Sequence, residues 1–148
     1  MAQAARPLFI DTGAFFARGY ERAEHHDRAR AVFDAIQAGD LPYRPLYTSR
    51  SVLSELATLM QRKVGHAEAV ETLNKIRYSE SFNILPVDKP AFTAACDEFV
   101  QYDDQQISFV DHTNSVLAES RDIDHVFAFD GDFRTLGFTL VPEDIEEP

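Results

Sequence analysis

Asp11, Glu55, Asp111 and the pair Asp130 and Asp132 are the residues whose type and placement suit chemistry. Asp11 directly follows the apolar run "PLFI", where a strand should end and the chain should turn into a helix. Asp130 follows "HVFAF" in the same way, with Asp132 two residues on across Gly131. Glu55 and Asp111 fall in the first turns of segments with helical periodicity. Carboxylates brought to one place cannot all stay ionised without a cation, because their repulsion raises some of the pKa values. A hard divalent ion resolves that conflict. With every ligand an oxygen and no Cys or His obliged to join, Mg²⁺ or Mn²⁺ is expected. An acidic centre holding such an ion suits phosphoester chemistry: it orients and deprotonates a water, withdraws charge from the phosphoryl oxygen and stabilises the leaving oxygen.

Each acid also has an ordinary explanation. Asp11 is a good helix cap and "DTG" a plausible turn. Glu55 lies roughly 60° from Val52 and 40° from Leu59 on a helical wheel, on the apolar stripe, where a carboxylate needs a partner. Asp111 is placed to complete a capping box with Ser108. Asn114, Ser115 and Ala118 follow it at i+3, i+4 and i+7, a small polar face suited to a site wall. "DGD" is a common acidic turn, so one of Asp130 and Asp132 need be no more than that.

The elements that would position these acids are legible from periodicity. "PLFI", "PLYTS" (45–49), "FNILPV" (82–87), "HVFAF" and "FTLV" read as short buried strands. Helical patterns span about 21–38 (stopping at Gly39), 50–64 (stopping at Gly65), 66–78, 88–102 and 108–121. A turn and short helix is expected at "DGDFRTL". Strands alternating with amphipathic helices predict an α/β domain with a mainly parallel sheet covered on both faces. In such sheets, ligands bind outside the carboxyl ends of the strands, where Asp11 and Asp130 fall.

A length of 148 residues suits one domain, and no linker, repeat or low-complexity tract divides it. Residues 1–6 and the acidic 143–148 are expected to be loose ends. "MAQAARP" lacks the apolar core of a secretion signal and no stretch suits a membrane span, so the expected location is cytoplasmic, with no membrane partner. Cys96 stands alone, excluding a disulfide framework, and with Phe92 and Phe99 at helical spacing it reads as a buried structural thiol. The net charge of −11 is opposite to the usual nucleic-acid binder. Only Lys63, Lys75 and Lys89 of the 14 basic residues are lysines, a balance expected of a halophilic protein. In about 1 M salt the Debye length is roughly 3 Å, so local contacts outweigh net charge.

Taken together, "FIDTGAFFA", "ERAEHHDRARAVF", "YTSRSVLSELATLMQRKVG" and "SFVDHTNSVLAESRDIDHVFAFDGDF" occur in the order and spacing of a known family. The chain resembles PIN-domain ribonucleases over almost its whole length, and is most similar to the VapC toxins of VapBC toxin-antitoxin modules. The resemblance implies a three-layer α/β/α sandwich with a five-stranded parallel sheet, Mg²⁺- or Mn²⁺-dependent RNA cleavage, an antitoxin partner and a homodimer. Asp11, Glu55 and Asp111 match the family's metal-site acids, and the fourth falls on Asp130, with Asp132 a second contributor or replacement. Thr12 matches the hydroxyl residue beside the first acid, a position that orients the carboxylate or a metal-bound water; Asn114 and Ser115 are taken as further support.

Phosphate contacts would come from local cations. Arg18, Arg50, Arg62 and Lys63 are the candidates, with Arg62 and Lys63 more readily explained as solvated charges favoured near a helix C-terminus. Phe15 and Phe16 are expected in the core, and His25 and His26 in solvent. A haloacid-dehalogenase-type phosphatase needs a second Asp two residues after the first, where Gly13 stands. A response-regulator receiver needs a Lys at the end of the last strand, and Lys is absent after residue 89. The remaining alternatives are a housekeeping PIN nuclease in RNA processing and a non-catalytic RNA- or partner-binding domain.

Overall fold

The computed structural model describes residues 4–103 and 106–145. Five strands, β1 (Arg6–Ile10), β2 (Tyr43–Ser49), β3 (Phe82–Leu85), β4 (His125–Phe127) and β5 (Thr139–Val141), form one parallel sheet in the order β3-β2-β1-β4-β5. The helices are α1 (Thr12–Gly19), α2 (His26–Ala38), α3 (Arg50–Lys63), α4 (His66–Arg77), α5 (Lys89–Gln101), α6 (Phe109–Glu119) and the short α7 (Asp132–Thr135). The expected α/β sandwich with a five-stranded parallel sheet is what the chain forms. None of the described helices is long and apolar enough to cross a membrane.

Strand β1 is central because both its faces are apolar: Leu8, Phe9 and Ile10 are fully buried. Phe15, Phe33 and Phe127 close the core on one side, with Phe15 on Phe33 at 5.8 Å and Phe33 on Phe127 at 4.9 Å. Such side chains each contribute about 1.5–3 kcal/mol through burial. Helix boundaries follow local chemistry. Gly39 ends α2 in the left-handed region (φ 84°), which a residue with a Cβ adopts only at a cost. Ser49 caps α3, accepting from the Val52 amide at 3.0 Å. Asp88 caps α5 through the Ala91 amide at 2.9 Å.

Four local expectations are corrected. The helix expected from about residue 21 starts at His26, because the chain turns through residues 20–25 after the separate helix α1. His25 and His26 are half-buried: His25 stacks on Phe129 at 4.4 Å with rings 9° apart, and His26 Nδ1 lies 2.7 Å from the Ala17 carbonyl oxygen. Cys96 is half-buried and Phe92 and Phe99 are exposed, because α5 packs on α6 and Ala95 is its one fully buried residue. The ends are better tied than expected: Arg6 begins β1, Arg134 holds Asp144 at 2.6 Å, and Asp144 accepts from the Leu140 amide at 2.9 Å. Residues 1–3 and 146–148 of those expected loose ends lie outside the described residues.

Candidate active site

In the order β3-β2-β1-β4-β5, successive connections run outward from β1 in one direction and then return to its other side at β4. The switch point therefore lies between β1 and β4, where open α/β sheets leave a crevice outside the strand ends. Asp11 follows β1, and its amide extends the ladder by donating to the Phe127 carbonyl at 3.0 Å. Asp130 follows β4 three residues after Phe127. On the other side of β1, Ser49 ends β2 and starts α3, which carries Glu55.

Asp11, Thr12, Glu55, Asp111, Asp130 and Asp132 line one open cleft of about 930 Å³ at this edge. Asp11 occupies the cap position of α1 but makes no side-chain capping bond. Its carboxyl is buried, with Oδ1 unpartnered among the described residues, and the adjacent Thr12 hydroxyl is buried and unpartnered as well. The capping explanation of Asp11 therefore fails. Desolvation, then the charges of Asp111 and Asp130, hold the Asp11 carboxyl well above the usual carboxylate range; Glu55 adds to this and the Thr12 amide offsets part of it.

Asp111 combines both of its readings. Its amide donates to Ser108 Oγ at 3.1 Å and its Oδ2 accepts from the Ser108 amide at 3.2 Å, a complete capping box. The same carboxyl faces the cleft, where desolvation above all, with Asp130 and Asp132 adding, raises its pKa to about 6 against the Ser108 bonds. Asp130 Oδ1 accepts from the Asp132 amide at 3.0 Å, so the acidic turn is real and fixes Asp130. Glu55 departs from its expectation of burial: it is exposed. The buried stripe of α3 is Val52, Leu53, Leu56 and Met60, and Glu55 lies roughly 115° from its centre, on the flank that meets the cleft.

Behind the acids, a buried hydrogen bond ties the two helices that carry Glu55 and Asp111. Ser49 Oγ donates to Asn114 Oδ1 at 2.7 Å, joining the start of α3 to α6. Asn114 thus lies behind the acids, bonded to the start of α3. Ser115 does not: its hydroxyl donates to Glu98 Oε1 at 3.3 Å, and Glu98 Oε2 lies 2.7 Å from Nδ1 of the fully buried His112, away from the cleft. Residues i and i+4 on α6 are close on the wheel, but α5 packs against that side and captures Ser115.

Arg18 is also displaced from the acids. It sits in the last turn of α1, which runs back from the strand ends, and its guanidinium lies over the Phe33 ring at 4.0 Å in a separate groove. Arg50 does line the acidic cleft. So does Arg62, for which a solvated helix-end charge is the preferred sequence reading because it sits a full helix away from the strand end; Lys63, read the same way, does not. Phe15 and Phe16 pack in and against the core as expected.

Comparison with known proteins agrees with this fold. The family model described as "PIN domain" matches residues 8–139, from β1 to the start of β5. The chain belongs to the PIN domain family. Among curated relatives, it is 32% identical over 134 residues to the 23S rRNA-specific endonuclease VapC20 of Mycobacterium tuberculosis, covering 90% of this chain and 97% of that protein. The crystal structure of Mycobacterium tuberculosis VapC20, described as a Sarcin-Ricin loop cleaving toxin, superposes with a TM-score of 0.80 at 30% identity over 88% of this chain and 95% of that one. The VapBC2 structure from Rickettsia felis, bound to a promoter DNA fragment, has a TM-score of 0.65 at 10% identity over 90% and 96% of the respective chains. The latter likeness is one of PIN fold alone.

Proposed function

We propose that this PIN-domain chain is a metal-dependent endoribonuclease that hydrolyses RNA phosphodiester bonds and serves as the toxin of a type II toxin-antitoxin module. The observation that carries the reading is Asp11: a buried carboxyl at the sheet's switch point, with an unpartnered oxygen and three other acids pressing on its charge. The 23S rRNA endonuclease similar to this chain supports RNA as substrate, and ribosomal RNA is the first target to test. The toxin relative and the VapBC structure of the same fold support an antitoxin partner.

The donors fit a hard divalent cation. Among the described residues no three acidic, imidazole or thiol side chains make a ready-made metal group, as like charges would be expected to hold themselves apart. Asp11, Glu55, Asp111 and Asp130 would hold Mg²⁺ or Mn²⁺. Asp130 is favoured over Asp132 because its charge acts on both Asp11 and Asp111, whereas that of Asp132 acts on Asp111. Bound there, the ion would supply an activated water and charge relief at the phosphoryl group. Asp132 orients Asp130 through its amide, and the unpartnered Thr12 hydroxyl can orient the neighbouring Asp11 carboxylate or an incoming oxygen. An RNA substrate makes the cytoplasm the place of action. Exposed Phe92, Phe99 and Val100 on α5 support a homodimer.

The test is cleavage of ribosomal RNA by the purified chain with Mg²⁺, Mn²⁺ or EDTA at several salt concentrations, beside a folded Asp11→Asn variant. Cleavage that requires the ion and disappears in the variant is expected. Undiminished cleavage by Asp11→Asn, or by the parent chain in EDTA, would overturn the assignment.

A further inference from the structure

Helix α3 borders the cleft along its whole length. Arg50, Ser51, Ser54, Glu55, Thr58 and Arg62 all line it, whereas Lys63 does not. At 1.5 Å rise per residue, Arg50 and Arg62 stand about 18 Å apart along the helix, with Glu55 about 7.5 Å from the first and 10.5 Å from the second. Glu55 is the one acid of this face, in a chain with 25 acidic residues and a net charge of −11. Both arginines are exposed, and neither has a hydrogen bond or ion pair among the described residues. Arg6 with His125, Arg18 on Phe33 and Arg134 with Asp144 are engaged within the fold, and Arg22, Arg30 and Arg44, which like Arg50 and Arg62 have no side-chain partner among the described residues, lie outside the cleft.

Two unengaged guanidinium groups, with serine hydroxyls between them, match what a ribose-phosphate backbone offers: repeated negative charge and acceptor oxygens. Thr58 is less available, since its hydroxyl donates to the Ser54 carbonyl at 3.1 Å. We propose that the α3 face from Arg50 to Arg62 is the track that carries the RNA backbone, each arginine taking a phosphate on opposite sides of the scissile position beside Glu55. The proposal rests on the nuclease reading and adds the direction in which the strand crosses the site. It also explains how an acidic chain docks a polyanion: the attraction is local to one helix.

The test is the salt dependence of binding to a fluorescein-labelled single-stranded RNA oligonucleotide, read by anisotropy. An Asp11→Asn background keeps binding separate from cleavage. Removing the cation that neutralises one phosphate lowers the slope of log Kd against log salt by about 0.7. Arg50→Gln and Arg62→Gln are expected to do so singly and by about 1.4 together. Arg62→Lys should retain the slope, and Lys63→Gln, an identical charge change one residue away, should leave it unaltered. Unchanged slopes in both arginine variants, an equal change in Lys63→Gln, or no binding at about 50 mM KCl would overturn the track. A parent chain that cuts no RNA with either metal, while the slopes respond as expected, would overturn the nuclease reading and leave the track standing.

Discussion

Replacing Asp111 with Asn should make the metal-free protein more stable near neutrality while removing a proposed metal ligand. Burial, with Asp130 and Asp132 adding, raises the Asp111 carboxyl from 3.8 to about 6. The folded state then holds this proton more tightly than the unfolded chain. The associated stability is fully present below pH 3.8 and is lost as the pH rises through about 6. Full ionisation in both states corresponds to about 3 kcal/mol, which solvent screening at this half-buried group reduces to about 1–2 kcal/mol. Asn keeps an oxygen that can accept from the Ser108 amide, so the capping box survives. Loss of the negative charge at the start of α6 costs about 0.3–1 kcal/mol. The net gain is about 1 kcal/mol at about pH 8, or a melting temperature higher by about 2–4 °C, and it should vanish near pH 4. Urea denaturation in EDTA at both pH values measures it. Added Mn²⁺ should reverse the order, stabilising the parent more than the variant. A variant no more stable than its parent at about pH 8, or equally favoured at about pH 4, would refute the reasoning.

Ser49→Ala removes the cap of α3 and strands Asn114 Oδ1, so it should cost about 2–3 kcal/mol in urea denaturation; a destabilisation under about 0.5 kcal/mol would show that this link carries little. If the acidic, lysine-poor composition reflects a halophilic origin, the thermal midpoint should climb steadily from low to molar KCl, and a flat response would remove that reading. Val100→Asp on the exposed face of α5 should convert a dimer to a monomer in sedimentation; a parent chain that is already monomeric, or a variant that stays dimeric, argues against that face.

Local signals carried the fold far. The run from Leu8 to Ile10 reads as a buried strand because each residue is apolar, and Gly39 and Ser108 mark helix ends through chemistry that acts within a few residues. The four motifs placed Asp11, Glu55, Asp111 and Asp130 at strand ends and helix starts, and the parallel sheet brought them to one cleft as that placement required. Asp111 shows why weighing two readings for one residue does not always choose between them: capping and facing the cleft use the same carboxyl.

What periodicity could not supply was direction. Arg18 and Arg62 both sit in the last turn of a helix that starts at a strand end, yet α1 carries Arg18 into a separate groove while α3 keeps Arg62 along the cleft. Nothing within a few residues of either arginine distinguishes them. The difference comes from the packing of α3 against α4, α1 and α6. Ser115 and Asn114 part company for a related reason: α5 takes the one and the start of α3 takes the other. The sequence by itself determined which elements form and which ends carry acids, because hydrogen-bonding periodicity and capping are local. Only the tertiary structure decided which side chains face the cleft and which face a neighbouring helix, because that choice depends on helix packing between segments far apart in the chain.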